Sequence, residues 1–171
     1  MLSEKMEKAL NAQINAEFWS AYLYLSMSVH FSAKGMKGVA NWFAVQFKEE
    51  QDHAQIFVDY VLARGGRVTL APIAEVPCEW ESPLAAFEAT LVHENKVTAM
   101  IDALCRQAEA DKDFATANKL VWFVDEQVEE EQNAQDIIDS LKMVDDSKMG
   151  LYMIDKELAA RVYTAPSIAG A

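Results

Sequence analysis

The chain has 171 residues, of which 51% are hydrophobic and 25% charged, and this balance predicts one globular domain with a sizeable core. Its formal net charge of −12 disfavours a nucleic-acid partner and favours cations. The low content of 6 glycines and 4 prolines disfavours a fold built from short strands and turns.

The amino-terminal residues and the cysteines bear on cellular location. Residues 1–5 lack the apolar segment of a signal peptide. No apolar run approaches the roughly 20 residues that cross a bilayer, so we expect no membrane partner. Cys78 and Cys105 form neither a disulfide framework nor a paired metal motif, so we expect both thiols to be reduced. We therefore predict a cytoplasmic location.

Apolar residues recur with a helical period along most of the chain, which predicts four long helices and a short fifth one. Ser3 and the Ser82-Pro83 pair are predicted to begin the first and third helices, and Gly65-Gly66 to end the second. The predicted helices run over about residues 3–33, 39–63, 83–110, 114–144 and 148–160.

The segment 64–81 has no helical period and contains Pro72 and Pro77. It is long enough, when extended, to run the whole length of a helical bundle. The predicted fold is therefore all-α: an antiparallel four-helix bundle with a long crossover between helices two and three, plus a short C-terminal fifth helix. We predict one domain over residues 1–171, with the bundle at about 3–144, the fifth helix at about 148–160 and a loose tail within 161–171.

Each long helix carries one glutamate on its apolar stripe, at a position where a solvated acid does not belong. These glutamates are Glu17, Glu50, Glu94 and Glu130. His53 follows Glu50 by three residues and so shares its helix face. The stripe predicted for the first helix is Met6, Leu10, Ile14, Glu17, Ala21, Tyr24, Leu25 and Val29.

The four acids are placed at matching distances from the predicted turns. Glu17 and His53 lie equally far along the chain on either side of Gly35, and Glu50 lies one helical turn nearer to it. Glu94 and Glu130 likewise lie equally far on either side of Lys112. Because equal distance from the turn means equal depth in an antiparallel pair, we expect all four acids in one layer.

Four carboxylates in an apolar core need either protons or cations. Two divalent metals would balance their charge, and oxygen-rich ligands with one imidazole favour iron or manganese, with zinc as a competitor. A second Glu-x-x-His is missing, so we expect an asymmetric pair of sites. Gln127 is predicted to face inward as a hydrogen-bonding group. Glu49, Glu126 and Glu129 beside the layer fit either a third cation site or a solvated acidic rim.

In these residues, the long crossover and the short fifth helix, the chain resembles the bacterial non-haem ferritins over essentially its whole length. The resemblance implies a homo-oligomeric shell of 24 subunits that oxidises Fe(II) with O2 or H2O2 and stores the ferric product inside. It implies two iron ions per subunit, the first at Glu17, Glu50 and His53 and the second at Glu50, Glu94 and Glu130. A third site is implied at Glu49, Glu126, Glu129 and Glu130. Tyr24 would either supply an electron or pack in the core.

Other interpretations fit the sequence less well. A bacterioferritin would need a haem-ligating methionine between the Glu and His of the motif, where Gln51 and Asp52 stand, so we expect no haem. A rubrerythrin-like protein would need a Cys-x-x-Cys iron site. A non-catalytic shell subunit should lack the acid layer. The runner-up is a di-iron oxygenase or peroxidase that retains its metals. The fifth helix fits either a subunit interface or a lid on the bundle.

Overall fold

A computed structural model describes residues 2–166, and within them the only regular elements are five helices. They are α1 (Glu4–Ala33), α2 (Lys37–Ala63), α3 (Pro83–Ala110), α4 (Phe114–Val144) and α5 (Lys148–Leu158). The all-α prediction is therefore confirmed. The predicted single domain and tail also include Met1 and residues 167–171, which lie outside the described residues. None of the described helices combines the length and apolar character that a bilayer crossing needs.

Side-chain caps set where most of the helices begin. The hydroxyl of Ser3 accepts a hydrogen bond from the backbone N–H of Met6, and that of Ser82 accepts one from Ala85. Pro83 occupies the first turn of α3, where its missing N–H would have no partner in any case. These two starts agree with the sequence-based expectation.

The start of α2 differs slightly from the expectation. It begins at Lys37 rather than near Val39, because Asp155 of α5 supplies a cap from elsewhere in the fold. Asp155 Oδ1 accepts hydrogen bonds from the N–H groups of Gly38 (2.8 Å) and Val39 (2.9 Å). Sequence periodicity cannot report a cap that comes from the opposite end of the chain.

The crossover between α2 and α3 is held against α1 by a ladder of polar side chains on that helix. Asn11 Nδ2 donates to the carbonyl of Arg67 at 2.9 Å, and Ser26 Oγ donates to that of Pro77 at 2.7 Å. Asn15 and Trp19 make similar bonds between these two points. A segment without secondary structure thus satisfies backbone groups along the full bundle.

The bundle core consists of two apolar clusters. One contains Tyr24, Phe31, Phe43 and Phe87, and the other contains Leu10, Phe57, Ile101 and Phe123. Each long helix contributes to both clusters, and most of the buried polar residues lie between the two contributions. The fold therefore positions a polar layer at mid-height, inside a closed apolar shell.

The predicted stripe of α1 is correct as far as Tyr24 and wrong beyond it. Val29 is 62% exposed, whereas Met27 and Phe31 are fully buried. A simple repeat of three and four residues does not match the period of an α-helix. Over the 30 residues of α1, a stripe extrapolated from one end therefore reaches the solvent-facing side at the other end.

The fifth helix closes one end of the bundle with one of its faces. Ile154 and Leu158 join the first apolar cluster, and the helix ends at Leu158 rather than at Ala160. Its opposite face exposes Met149, Tyr152 and Met153, at 57–69%. The inner face of α5 thus covers the end of the bundle as a lid. Its exposed outer face still fits a subunit interface.

Candidate metal centre

The polar layer brings together the four glutamates, one from each long helix. Glu17, Glu50, Glu94 and Glu130 are 1–3% exposed, and His53 is 3% exposed. Their placement agrees with the matched turn distances in the sequence. Buried acids at this density require neutralisation by protons or by cations.

One group of ligand atoms in the layer fits a cation. Glu17, Glu50 and His53 each offer one ligand atom, and these atoms lie within 4.8 Å of one another. His53 Nδ1 lies 3.6 Å from Glu50 Oε2. This is the trio that the ferritin resemblance implies for the first iron.

A second group contains His53 together with two residues of α4. Ligand atoms of His53, Glu126 and Glu130 lie within 4.8 Å of one another, with His53 Nε2 3.7 Å from Glu126 Oε1.

The trio implied for the second iron, with Glu50 and Glu94 beside Glu130, forms no such group within residues 2–166. Glu94 is held aside by the hydroxyl of Tyr24 and by Gln127 Nε2, which donates to Glu94 Oε2 at 3.2 Å.

Three buried glutamine amides hold three of the four carboxylates. Gln13 Nε2 donates to Glu17 at 2.8 Å, Gln46 Nε2 donates to Glu130 at 2.8 Å, and Gln127 holds Glu94. Gln46 Oε1 is buried without a hydrogen-bond partner in the described chain. The amides orient the carboxylates without adding charge, which leaves the full negative charge for cations.

Sequence reasoning missed Gln13 and Gln46, although a signal was present. Each lies one turn before a predicted carboxylate, Gln13 before Glu17 and Gln46 before Glu50. This spacing correctly places each glutamine on the same helix face as the carboxylate. It does not predict that the Gln46 amide crosses the bundle to Glu130.

The residues implied for a third site lie at the edge of the layer. Glu49 and Glu126 are half-buried, and Glu129 is exposed on α4. Glu49 Oε2 forms an ion pair of 2.6 Å with Arg161 Nη2. Burial raises the pKa of Glu49, and Arg161 and His53 oppose this shift. One of these three acids, Glu49, therefore already has a cationic partner.

The electrostatics of the metal-free layer favour bound protons. Burial, reinforced by neighbouring glutamates, raises the pKa of Glu94 to about 7 and that of Glu130 to about 8. Burial also raises the pKa of Glu50 well above its ordinary value, although His53 opposes the shift. A cation that enters the layer must therefore displace protons from these carboxyls.

Aromatic rings fix the side chains at the margins of the layer. Tyr24 is fully buried, donates its hydroxyl hydrogen to Glu94 and stacks on Phe43 with 6.0 Å between ring centroids. The contacts of Tyr24 fit both predicted roles.

The His53 ring makes edge contacts with Trp122 at 5.5 Å and with Phe123 at 6.1 Å. Burial lowers the pKa of His53, but the nearby carboxylates of Glu126 and Glu50 outweigh that effect and raise it.

The comparisons with known proteins agree with this geometry. The family model "Ferritin-like domain" matches residues 7–144. The bacterial non-heme ferritin of Bacteroides fragilis is 45% identical over 161 residues, which are 94% of this chain and 100% of the relative. That of Staphylococcus epidermidis is 39% identical over 163 residues, or 95% of this chain and 98% of the relative.

The chain belongs to the ferritin family. Among solved structures, the open-pore ferritin of the hyperthermophilic archaeon Archaeoglobus fulgidus matches with a TM-score of 0.94 at 52% identity, covering 95% of this chain and all of the other. A humanized archaeal ferritin matches with a TM-score of 0.95 at 51% identity, covering 96% and 99%. The family resemblance and the bundle prediction are thus confirmed. Iron storage follows as the function of the chain, and an oxygenase that retains its metals is not favoured.

The raised pKa values predict that the metal-free protein loses stability as pH rises towards about 8. The unfolded chain releases the protons of Glu94 and Glu130 near their ordinary pKa of 4.5, whereas the folded chain keeps them to about 7 and about 8. Their stabilising contribution is therefore fully present below pH 4.5 and is lost by the time pH passes the folded pKa values. We expect the apparent melting temperature of metal-free protein to fall over this range and to level off above it.

His93 has the opposite effect on stability, but only in the lower part of this pH range. A variant of Glu130 tests the assignment of the effect to the glutamates. Burial lowers the pKa of His93 to about 4, so its contribution changes only below its ordinary value of 6.5. The raised pKa of His53 acts in the same direction as the glutamates. Glu130→Gln should reduce the slope above pH 6.5, because it removes the carboxyl that keeps its proton to about 8. An unchanged slope in this variant would contradict the assignment.

Proposed function

We propose that the chain oxidises Fe(II) at paired sites in the polar layer and delivers Fe(III) to a mineral store inside a homo-oligomeric shell. The observation that carries the proposal is the buried layer of four glutamates and one histidine between two apolar clusters. A structural bundle gains nothing from four buried acids, since each costs several kcal/mol to desolvate. Two divalent iron ions bring the layer close to neutrality.

The donor set suits iron in both oxidation states. Carboxylate oxygens stabilise the additional charge of Fe(III), and the imidazole of His53 suits Fe(II). Two Fe(II) release two electrons, which reduce O2 to H2O2 or H2O2 to water. The glutamine amides of Gln13, Gln46 and Gln127 orient the carboxylates for both ions. As proposed catalytic residues we retain Glu17, Glu50, His53, Glu94, Gln127, Glu130 and Tyr24.

The two sites differ, and the difference suits turnover. The first has His53 with Glu17 and Glu50, whose ligand atoms already lie close together. The second depends on Glu94 and Glu130, which are held by Tyr24, Gln127 and Gln46. We propose that iron at this second site exchanges more readily and leaves for the store. Glu49, Glu126 and Glu129 are proposed to form a third site on that route.

Two exposed apolar surfaces support assembly of a shell. One lies along α1 and the crossover, where Tyr22, Val29 and Ile73 are 48–62% exposed. The other is the outer face of α5. Surfaces of this kind mark contacts with other chains. We propose a shell of 24 copies, as the ferritin resemblance implies, in the cytoplasm. With a chain mass of 19.1 kDa, its mass would be about 460 kDa.

Aerobic addition of Fe(II) to metal-free protein tests the proposal. We expect a fast rise in ferric absorbance that saturates at about two to three iron ions per subunit, followed by continued soluble uptake far beyond that ratio. Saturation at about two without further uptake would contradict storage and indicate a metal cofactor that is retained through turnover. No fast phase at all would contradict the oxidation site.

A further inference from the structure

The segment that follows α5 lies on the first half of α2. Asn41 Nδ2 donates to the carbonyl of Leu158 at 3.2 Å and to that of Arg161 at 2.9 Å. Further along α2, the hydroxyl of Tyr163 donates to Asp52 Oδ2 at 2.5 Å. Residues 159–166 therefore form a strap that reaches the part of α2 that carries Glu49 and Glu50.

Arg161 is the central contact of this strap. Its guanidinium lies over the Trp42 ring at 4.6 Å, and its Nη1 donates to the Trp42 carbonyl at 3.3 Å. Its Nη2 donates to Glu49 Oε2 at 2.6 Å. The side chains of the pair are only 22% and 19% exposed, so water screens their attraction less than at an open surface.

The ion pair conflicts with a cation on Glu49. The bond of 2.6 Å occupies Glu49 Oε2, so a divalent ion that binds this oxygen must weaken the bond, and an ion on Oε1 alone lies close to the guanidinium. A guanidinium that remained in place would also repel the ion, because water screens charges only partly at this half-buried position. Arg161 and a third cation therefore compete for the same acid.

We propose that Arg161 is the resident counter-cation of Glu49, and that iron fills the third site only by displacing Arg161 and the strap. This inference rests on the proposed function, because it takes Glu49 as a third-site ligand. It gives Arg161 a positioning role that acts through Glu49. The strap thereby keeps the third site weak, so that this site fills only at higher iron concentrations.

A purely structural role for Arg161 predicts the opposite effect on binding. If Arg161 only ordered Glu49, its removal would disorder the ligand and weaken the third cation. If Arg161 competes, its removal strengthens the third cation. The sign of the change in affinity therefore separates the two roles.

The test is calorimetric titration of the metal-free protein with Zn(II), which is redox-inert and competes for the same donors. We expect Arg161→Gln to tighten the third Zn(II) by about tenfold, the scale of a hydrogen-bonded ion pair of this burial, and to leave the first two unchanged. Lys156→Gln is the matched control. It removes the same charge from α5, where Lys156 lies over Tyr152 at 5.5 Å, and it should change nothing.

A second readout follows the strap itself. In wild type, amide hydrogen exchange across residues 159–166 should accelerate when the third equivalent of Zn(II) binds. In Arg161→Gln, exchange in this segment should be fast before Zn(II) is added. Glu49→Gln should remove the third equivalent, whether or not Arg161 is present.

Each outcome has a distinct meaning. An unchanged or weaker third Zn(II) in Arg161→Gln overturns the competition. Two tight equivalents without a third in any variant also overturn it, while they leave the paired oxidation sites intact. Absence of the two tight equivalents in wild type would instead overturn the proposed function.

Discussion

Replacement of Glu50 by glutamine is expected to abolish the fast phase of Fe(II) oxidation while the shell still assembles. Glu50 lies beside both Glu17 and His53 and interacts electrostatically with Glu94, so its carboxylate is the one best placed to serve both iron ions. Since loss of an outer partner of a metal ligand already costs about 10–100-fold, loss of this ligand should slow oxidation at least about 100-fold. Stopped-flow absorbance after aerobic mixing with Fe(II) measures the effect.

Two further observations make this experiment decisive. Glu50→Gln should not lower the apparent melting temperature of metal-free protein, because it removes a buried acid whose pKa is raised by burial. Glu109→Gln makes the same chemical change on an exposed face of α3 and should oxidise iron normally. A Glu50→Gln variant that fails to assemble would show that Glu50 is structural.

Replacement of Gly38 by alanine is expected to detach α5 from the bundle. A Cβ at position 38 would lie 1.5 Å from the carbonyl oxygen of Asp155, and that oxygen belongs to the backbone and cannot rotate away. The helix must move, which breaks the two Asp155 caps on α2 and exposes Ile154 and Leu158. Overpacking of this kind costs about 3 kcal/mol or more. Scanning calorimetry at a fixed heating rate should show a large fall in melting temperature.

The neighbouring position supplies the control for this substitution. Lys37 is exposed at the first residue of α2, and alanine there should leave the melting temperature nearly unchanged. Similar melting temperatures for Gly38→Ala and Lys37→Ala would contradict the close approach of α5 to α2.

Much of the fold could be predicted from local chemistry. Ser82-Pro83 and the glycines after Ala63 mark helix ends through hydrogen bonds that residues near in sequence supply. The four glutamates could be placed in one layer because an antiparallel hairpin converts counting from the turn into depth. Both inferences need only the helical period and the turn positions.

Features that depend on distant partners could not be predicted. Asp155 caps α2 from α5, and the Asn11 and Asn15 side chains hold a crossover that lies beyond the whole of α2 in the sequence. The Gln46 amide reaches Glu130 on another helix rather than Glu50 on its own. Arg161, in a segment with no periodic pattern, returns to Glu49. Each pairing depends on how helices rotate and pack, which a period does not encode.

The sequence by itself determined the five helices, the buried acid on each long helix and their common depth, because these follow from periodicity and chain length alone. Tertiary structure decided which atoms face each other within that layer. It placed Glu94 with Tyr24 and Gln127, and His53 between the carboxylates of two helices. The physical reason is that helix propensity and patterning act along the chain, whereas side-chain hydrogen bonds and burial act across it.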